Sequence, residues 1–303
     1  MSRRGWILFL ALSVLWGFPY FLIRIAVRQL DPATLVFART FPAAIILVPL
    51  ALYQRAFPSL RGAWKWLLAY SIVEFGVPWF LMGSAERHLS SSLTGLLVAC
   101  VPLVAIAIAR VMHPDEHISR RRLTGLAVGT IGVIFLVGLD ITKGSSIWIL
   151  AMGVVVIGYA TGPVIISQRL SHASGLAVVA ASVSVVALLY LPWGVAHWPA
   201  HPSAETLEAV AGLSIFCTLA AFLIFFQLIK EVGPSRTVVI TYFNTGIAVV
   251  LGTVGLHEPL TSGIIVGFPM IITGSILATS SSAQPSPEGG ADIDQSKTRR
   301  GDI

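Results

Sequence analysis

The chain has 303 residues, 55% of them hydrophobic and only 11% charged, where an ordinary globular protein has roughly 25% charged. With a mean hydropathy of +0.84 it lacks the polar surface to cover a water-soluble body, so lipid must be the solvent for most of its length. The net charge of +6 comes from basic residues scattered among loops, with no run beyond Arg120-Arg121-Arg122, a pattern that speaks for membrane orientation and against nucleic acid as a partner.

From the N-terminus, Ser2-Arg3-Arg4-Gly5-Trp6 has a twin-arginine pair ahead of an apolar stretch. That stretch is longer than a usual export-signal core, and no small-x-small cleavage site follows. It reads as the first of ten apolar runs: 6–23, 33–53, 66–84, 89–109, 123–139, 147–167, 174–196, 209–229, 237–256 and 260–280. A hydrocarbon core of about 30 Å needs about 20 helical residues, and open strands cannot cross it with their backbone groups unsatisfied. The sequence therefore predicts an all-α polytopic membrane protein. The tail 281–303 is Ser, Pro, Gly and charge without periodicity, and reads as a disordered cytoplasmic extension. Cys100 and Cys217 stand alone inside apolar runs, so neither a disulfide framework nor a multi-cysteine zinc site can be built.

Alternate connections divide the Lys and Arg fifteen to four, with Arg39 left inside a span. The richer side holds Arg3, Arg4, the Arg120 cluster and the basic residues of the tail, while the poorer side holds Arg24, Arg28, Arg87 and Lys143. This split places both termini in the cytoplasm and agrees with an even span count.

An offset of 142 lays Glu116 on Glu258, Ser119 on Thr261, Gly125 on Gly267 and Gly132 on Gly274. The halves, 1–140 and 145–280, each carry five spans, and an odd number of spans forces the second half to enter from the opposite side. Ten transmembrane helices in two inverted five-helix repeats are therefore expected, with a shared cavity near the midplane that opens to either side. Pro19, Pro42, Pro49, Pro78, Pro102, Pro163, Pro192 and Pro269 all fall within spans and permit kinks.

Trp16-Gly17, Arg39, the small-residue span ending at Pro102, and the paired turns His113–Ser119 and Leu256–Thr261 together resemble EamA-type members of the drug/metabolite transporter superfamily. The likeness covers about residues 6–280. It implies the same inverted ten-helix fold, a cell-membrane location and export of amino acids or related small metabolites. The chain departs from the pattern where His113-Pro114-Asp115 precedes Glu116 and Leu256-His257 precedes Glu258, positions at which the family often has Leu-Gly.

Glu74, roughly 15 Å deep, and Arg39, roughly 9 Å from the outer surface, are the charges read as lying well inside spans. Each costs at least about 2.5 kcal/mol in the bilayer, so both should face the protein interior and find partners. The axial gap between them, about 6 Å, is one an Arg side chain can close. Glu74 either locks to Arg39 or to hydroxyl groups and fixes packing, or lines the cavity and binds a substrate amino group or a proton. The matching positions of the second half are Ala181 and Phe216, so such a site is asymmetric.

Trp16, Tyr20, Trp79, Tyr159, Tyr242 and Asn244 are the expected cavity wall, offering aromatic faces to a cation and an amide donor and acceptor. The competing roles are interface anchoring for the aromatics, as expected of Trp64, Trp66, Trp148, Trp193 and Trp198, and an interhelical hydrogen bond for Asn244. His113, Asp115, Glu116 and His117 have the composition of a metal site, but Pro114 interrupts the helix that would align them. No metal or cofactor is expected, and no nucleotide-binding or hydrolase motif is present. The expected function is secondary or facilitative transport by alternating access, with a small-molecule substrate, the bilayer and protons as partners. A membrane-embedded enzyme acting on a lipid-linked substrate, a lipid flippase and an interaction or signalling protein are the alternatives.

Overall fold

The computed structural model describes residues 2–112, 120–140, 145–232 and 240–279. The expected acidic turn at 113–119 and the tail 281–303 lie outside them. Every regular element among the described residues is helical. In chain order these are α1 (Arg3–Ala26), α2 (Pro32–Tyr53), α3 (Trp64–Ala85), α4 (Ser91–Met112), α5 (Arg120–Asp140), α6 (Ser146–Arg169), α7 (Gly175–Ala196) and α8 (Ala204–Leu228, running on to Val232). They are followed by α9 (Ile240–Val250, continuing through Leu251–Gly255) and α10 (Ser262–Thr279). Seven are long and apolar enough to cross a bilayer, and the apolar stretches Leu123–Leu136, Phe243–Gly255 and Ser262–Leu277 of the other three are shorter.

Local chemistry sets the helix starts. Asp31 caps α2 by accepting from the backbone N–H of Ala33 (3.0 Å) and Thr34 (3.1 Å), with Pro32 at the first helical position. Ser2, Ser90 and Ser203 cap α1, α4 and α8 in the same way. Burial raises the pKa of the Asp31 carboxyl, but donors from Thr34, Trp193 and Ala33 outweigh it and hold the group below its usual range.

Helices α3 and α8 widen into π turns at Ser71–Gly76 and Gly212–Ala220. The 142-residue offset carries 71–76 onto 213–218, so the same irregularity recurs at the same place in both halves. Helix α4 breaks at Ala99-Cys100, just before Pro102.

The packing is unchanged when the halves are exchanged. Helices α2, α4 and α5 pack on their counterparts α7, α9 and α10, while α1 packs on α8 and α9 as α6 packs on α3 and α4. The like-with-like pairs are antiparallel. Asp31 meets Trp193 (2.8 Å) at one end of the α2–α7 pair, and Ser59 meets Ser174 (2.9 Å) at the other. Between α5 and α10 a Cβ on Gly274 would sit 2.6 Å from the Gly125 carbonyl, and one on Gly267 would sit 2.7 Å from the Gly132 carbonyl. The offset makes these the same contact made twice, as a two-fold axis requires. Outward faces carry Ile45, Leu150, Leu188 and Phe216, apolar and exposed, as lipid contact demands.

The two ends of the bundle differ. At the end that holds the start of α1, Ser2 and Arg4 reach Glu231 (Arg4 at 3.6 Å), and Arg169 lies over Trp66 at 4.5 Å. The opposite end is laced shut: Arg87 donates to the Leu30 carbonyl (2.9 Å), Gln29 accepts from Ser203 (2.8 Å) and Thr206 (3.0 Å), and Arg24 donates to the Glu86 carbonyl. Here Glu258 takes four hydrogen bonds, from the backbone N–H of Ser91 (2.7 Å) and Ser92 (3.0 Å) and from their hydroxyls (3.0 and 2.7 Å). It thereby caps α4 from another part of the chain. His257 before it has φ 55°, a left-handed conformation that favours glycine, which gives a physical reason for the Leu-Gly pattern from which this chain departs.

Candidate functional site

A cavity of about 550 Å³ lies between the halves, within the range typical of small-molecule sites. Trp16, Tyr20, Arg39, Glu74, Trp79, Tyr159 and Asn244 all line it. The side chain of Tyr242, the remaining sequence-derived candidate, is outside the described residues. From mid-bundle the wall runs along α4 from Val98 to Ala105 and along α6 from Tyr159 to the exposed Ser167. That is about 12 Å of helix toward the end that holds the start of α1.

Glu74 stands in the π turn of α3, where the widened backbone turns it toward α6. Its Oε2 is buried and has no hydrogen-bond partner among the described residues. The carboxylate sits against Gly162, where an added Cβ would overlap Oε2 and come within 3.4 Å of the Tyr70 ring. Glycine here makes room for the acid.

Of the two readings of Glu74, the lock to Arg39 is not formed: the two side chains make no ion pair with each other. Arg39, only 5% exposed, lays its guanidinium 3.6 Å from the centre of the Trp79 ring and donates from Nε to Thr218 Oγ1 at 3.1 Å. Thr218 in turn donates to the Leu213 carbonyl (2.8 Å), a five-residue reach that the π turn of α8 allows. Stacking and one hydroxyl thus hold the cation, and the acidic and the basic side chain line one cavity without pairing.

Sequence reasoning missed four kinds of participant. Phe75, Phe222 and Phe225 form an aromatic wall, with Phe75 5.4 Å from Phe222 and Trp16 5.0 Å from Phe225; nothing distinguishes them from ordinary lipid-facing phenylalanines in the sequence. Thr218 and Cys217 were hidden in an apolar run. Gly162 reads as one small residue among many. Glu86 follows α3 in a polar connection and reads as a loop residue, yet it is fully buried. Of the expected interface anchors, Trp64, Trp66, Trp193 and Trp198 are exposed, whereas Trp148 is half-buried and stacks on His88 at 4.1 Å. The Asn244 amide oxygen accepts from its neighbour Thr245 at 3.3 Å.

The EamA-like transporter family model matches the chain twice, over residues 3–138 and 146–280. The chain belongs to that family. It is a membrane transporter of the drug/metabolite type and a multi-pass protein of the bacterial cell membrane. The uncharacterized inner membrane transporter YedA of Escherichia coli is 26% identical over 276 residues, covering 87% of this chain and 88% of the relative. The uncharacterized transporter YvbV of Bacillus subtilis is 23% identical, covering 90% and 91%. Protein PecM of Dickeya dadantii is 20% identical, covering 86% and 88%. A solved crystal structure of a protein superposes with a TM-score of 0.65 at 17% identity over 92% of this chain and 97% of the other, a likeness of fold.

Proposed function

We propose that the chain is a secondary or facilitative carrier of amino acids or related zwitterionic metabolites that works by alternating access. In this reading all ten helices span the membrane as two inverted five-helix repeats, 1–140 and 145–280, with both termini in the cytoplasm and the cavity facing inward. The antiparallel pairing of α2 with α7 and α5 with α10 supports the inversion. The fifteen-to-four division of basic residues supports the orientation.

One observation carries the substrate class. A buried carboxylate oxygen with no partner among the described residues, on Glu74, and a guanidinium held by stacking and one hydroxyl, on Arg39, line the same cavity. A zwitterion presents an ammonium to the first and a carboxylate to the second, and its side chain meets the aromatic wall. Nothing in the wall resembles a nucleotide cradle, so movement against a gradient draws on an ion or exchange gradient.

The test is counterflow. Proteoliposomes preloaded with one unlabelled amino acid should accumulate the same labelled compound transiently, and compounds lacking either charge should compete poorly. Absence of counterflow for every amino acid, together with movement of labelled lipid between leaflets, would favour the flippase reading instead.

A further inference from the structure

Glu86 ends α3 at the laced end of the bundle and is 0% exposed, and neither carboxylate oxygen has a hydrogen-bond partner among the described residues. The hydrogen bond it receives from Arg24 goes to its backbone carbonyl, not to the carboxylate. Groups from every side act on it: Tyr20 and Arg24 of α1, Arg39 of α2, and Glu258 beyond α9. Glu258 is already engaged by Ser91 and Ser92, so it brings Glu86 a like charge and no donor. Arg87 and His88, next along the chain, are turned elsewhere, to the Leu30 carbonyl and the Trp148 ring. Glu86 therefore lies between the cavity floor, at Tyr20 and Arg39, and the capped start of α4.

We propose that Glu86 is a proton-binding site that locks this end of the carrier: closure takes one proton from water onto a Glu86 carboxylate oxygen, and opening returns it to water. A carboxylate sealed away with no donor is far costlier than the neutral acid. Once the laced end parts, water solvates the anion and that cost disappears. Closure and proton uptake are then one linked equilibrium, shifting by up to about tenfold per pH unit for one proton. The site is separate from Glu74, which stands in the cavity. The inference rests on the alternating-access reading above.

The test places a cysteine at Leu89, in the buried apolar cluster of the laced end, in a background where Cys100 and Cys217 are replaced by alanine. Labelling by a membrane-impermeant maleimide is followed from that side of proteoliposomes, normalised to a free thiol in the same buffer. Raising the pH from about 6 to 8 should increase labelling by at least about tenfold. Glu86→Gln, permanently neutral, should remove the pH response and leave labelling low, while Glu86→Asp should retain a response with a displaced midpoint. His88→Gln should leave the response as in the parent. A response that survives in Glu86→Gln, that vanishes in His88→Gln, or that follows sodium against choline rather than pH would overturn the proposal. If Glu86→Gln does not fold, an unchanged midpoint in Glu86→Asp serves as the contradicting result. Val98→Cys in the cavity separates the two readings: labelling there that alternates between sides, with no pH dependence at Leu89, would sink this inference alone, whereas Val98 labelling from one side under all conditions would sink the carrier reading itself.

Discussion

Replacing Glu74 by glutamine is expected to cut substrate flux by about 10- to 100-fold while the protein inserts and melts as the parent does. The magnitude is that of a lost charge-assisted contact, about 1.5–3 kcal/mol, at tenfold per 1.4 kcal/mol. Stability should not fall, because the glutamine fills the same space and Oε2 has no partner among the described residues to lose; removing a lone buried carboxylate is neutral or favourable. A packing role would show the opposite pattern, with a lowered melting temperature and flux per folded molecule unchanged. Gly162→Ala gives a second approach to the same group. Its Cβ would occupy the place of the Glu74 carboxylate, whose flexible stem can swing aside. Substrate affinity should weaken although the charge is retained. Proteoliposome flux and thermal unfolding, measured together on both variants, check these outcomes.

Gly274→Leu should abolish the folded protein. Overpacking a close interface costs about 1–3 kcal/mol when neighbouring side chains can move. At Gly274 the neighbours are the backbone of Gly129 and the Gly125 carbonyl, which cannot rotate away, so α5 and α10 must separate. In lipid no hydrophobic drive compensates for lost packing between helices. Gly153→Leu is the control, because a Cβ there meets nothing within 4 Å. Monodisperse yield after detergent extraction should collapse for Gly274→Leu and stay near the parent's for Gly153→Leu. Equal yields would mean that the α5–α10 contact is dispensable.

The legible features were those with a period or a misplaced charge. Span-length apolar runs predicted the helices, since in lipid the backbone has few other choices. The offset relating Gly125 to Gly267 and Gly132 to Gly274 marked two glycine-spaced faces fit for close helix contact, but not whether they meet inside the bundle or between subunits; the structure brings them together between α5 and α10. Glu74, Arg39, Trp16 and Asn244 stood out as polar or amphipathic groups at mid-span, and they line one cavity. Partners were not legible. Arg39 chose Trp79 and Thr218 over Glu74, a choice set by the three-dimensional course of α3 and α8 and by their π turns, which leave no periodic signal. Glu86 was missed because a charge beyond the end of an apolar run looks solvated, and only the packing of α1, α4 and the Glu258 turn around it removes the water.

The account stands on a cavity that opens to each side in turn, and side-specific labelling of a cysteine at its centre tests this most directly. Val98 lines the cavity at the break in α4, and Val98→Cys, with Cys100 and Cys217 replaced by alanine, changes little volume. An impermeant thiol reagent should reach it from the side of the chain termini in the absence of substrate. Under an imposed substrate gradient it should reach it from the opposite side as well. Labelling confined to one side under every condition, or absent from both, would contradict the account.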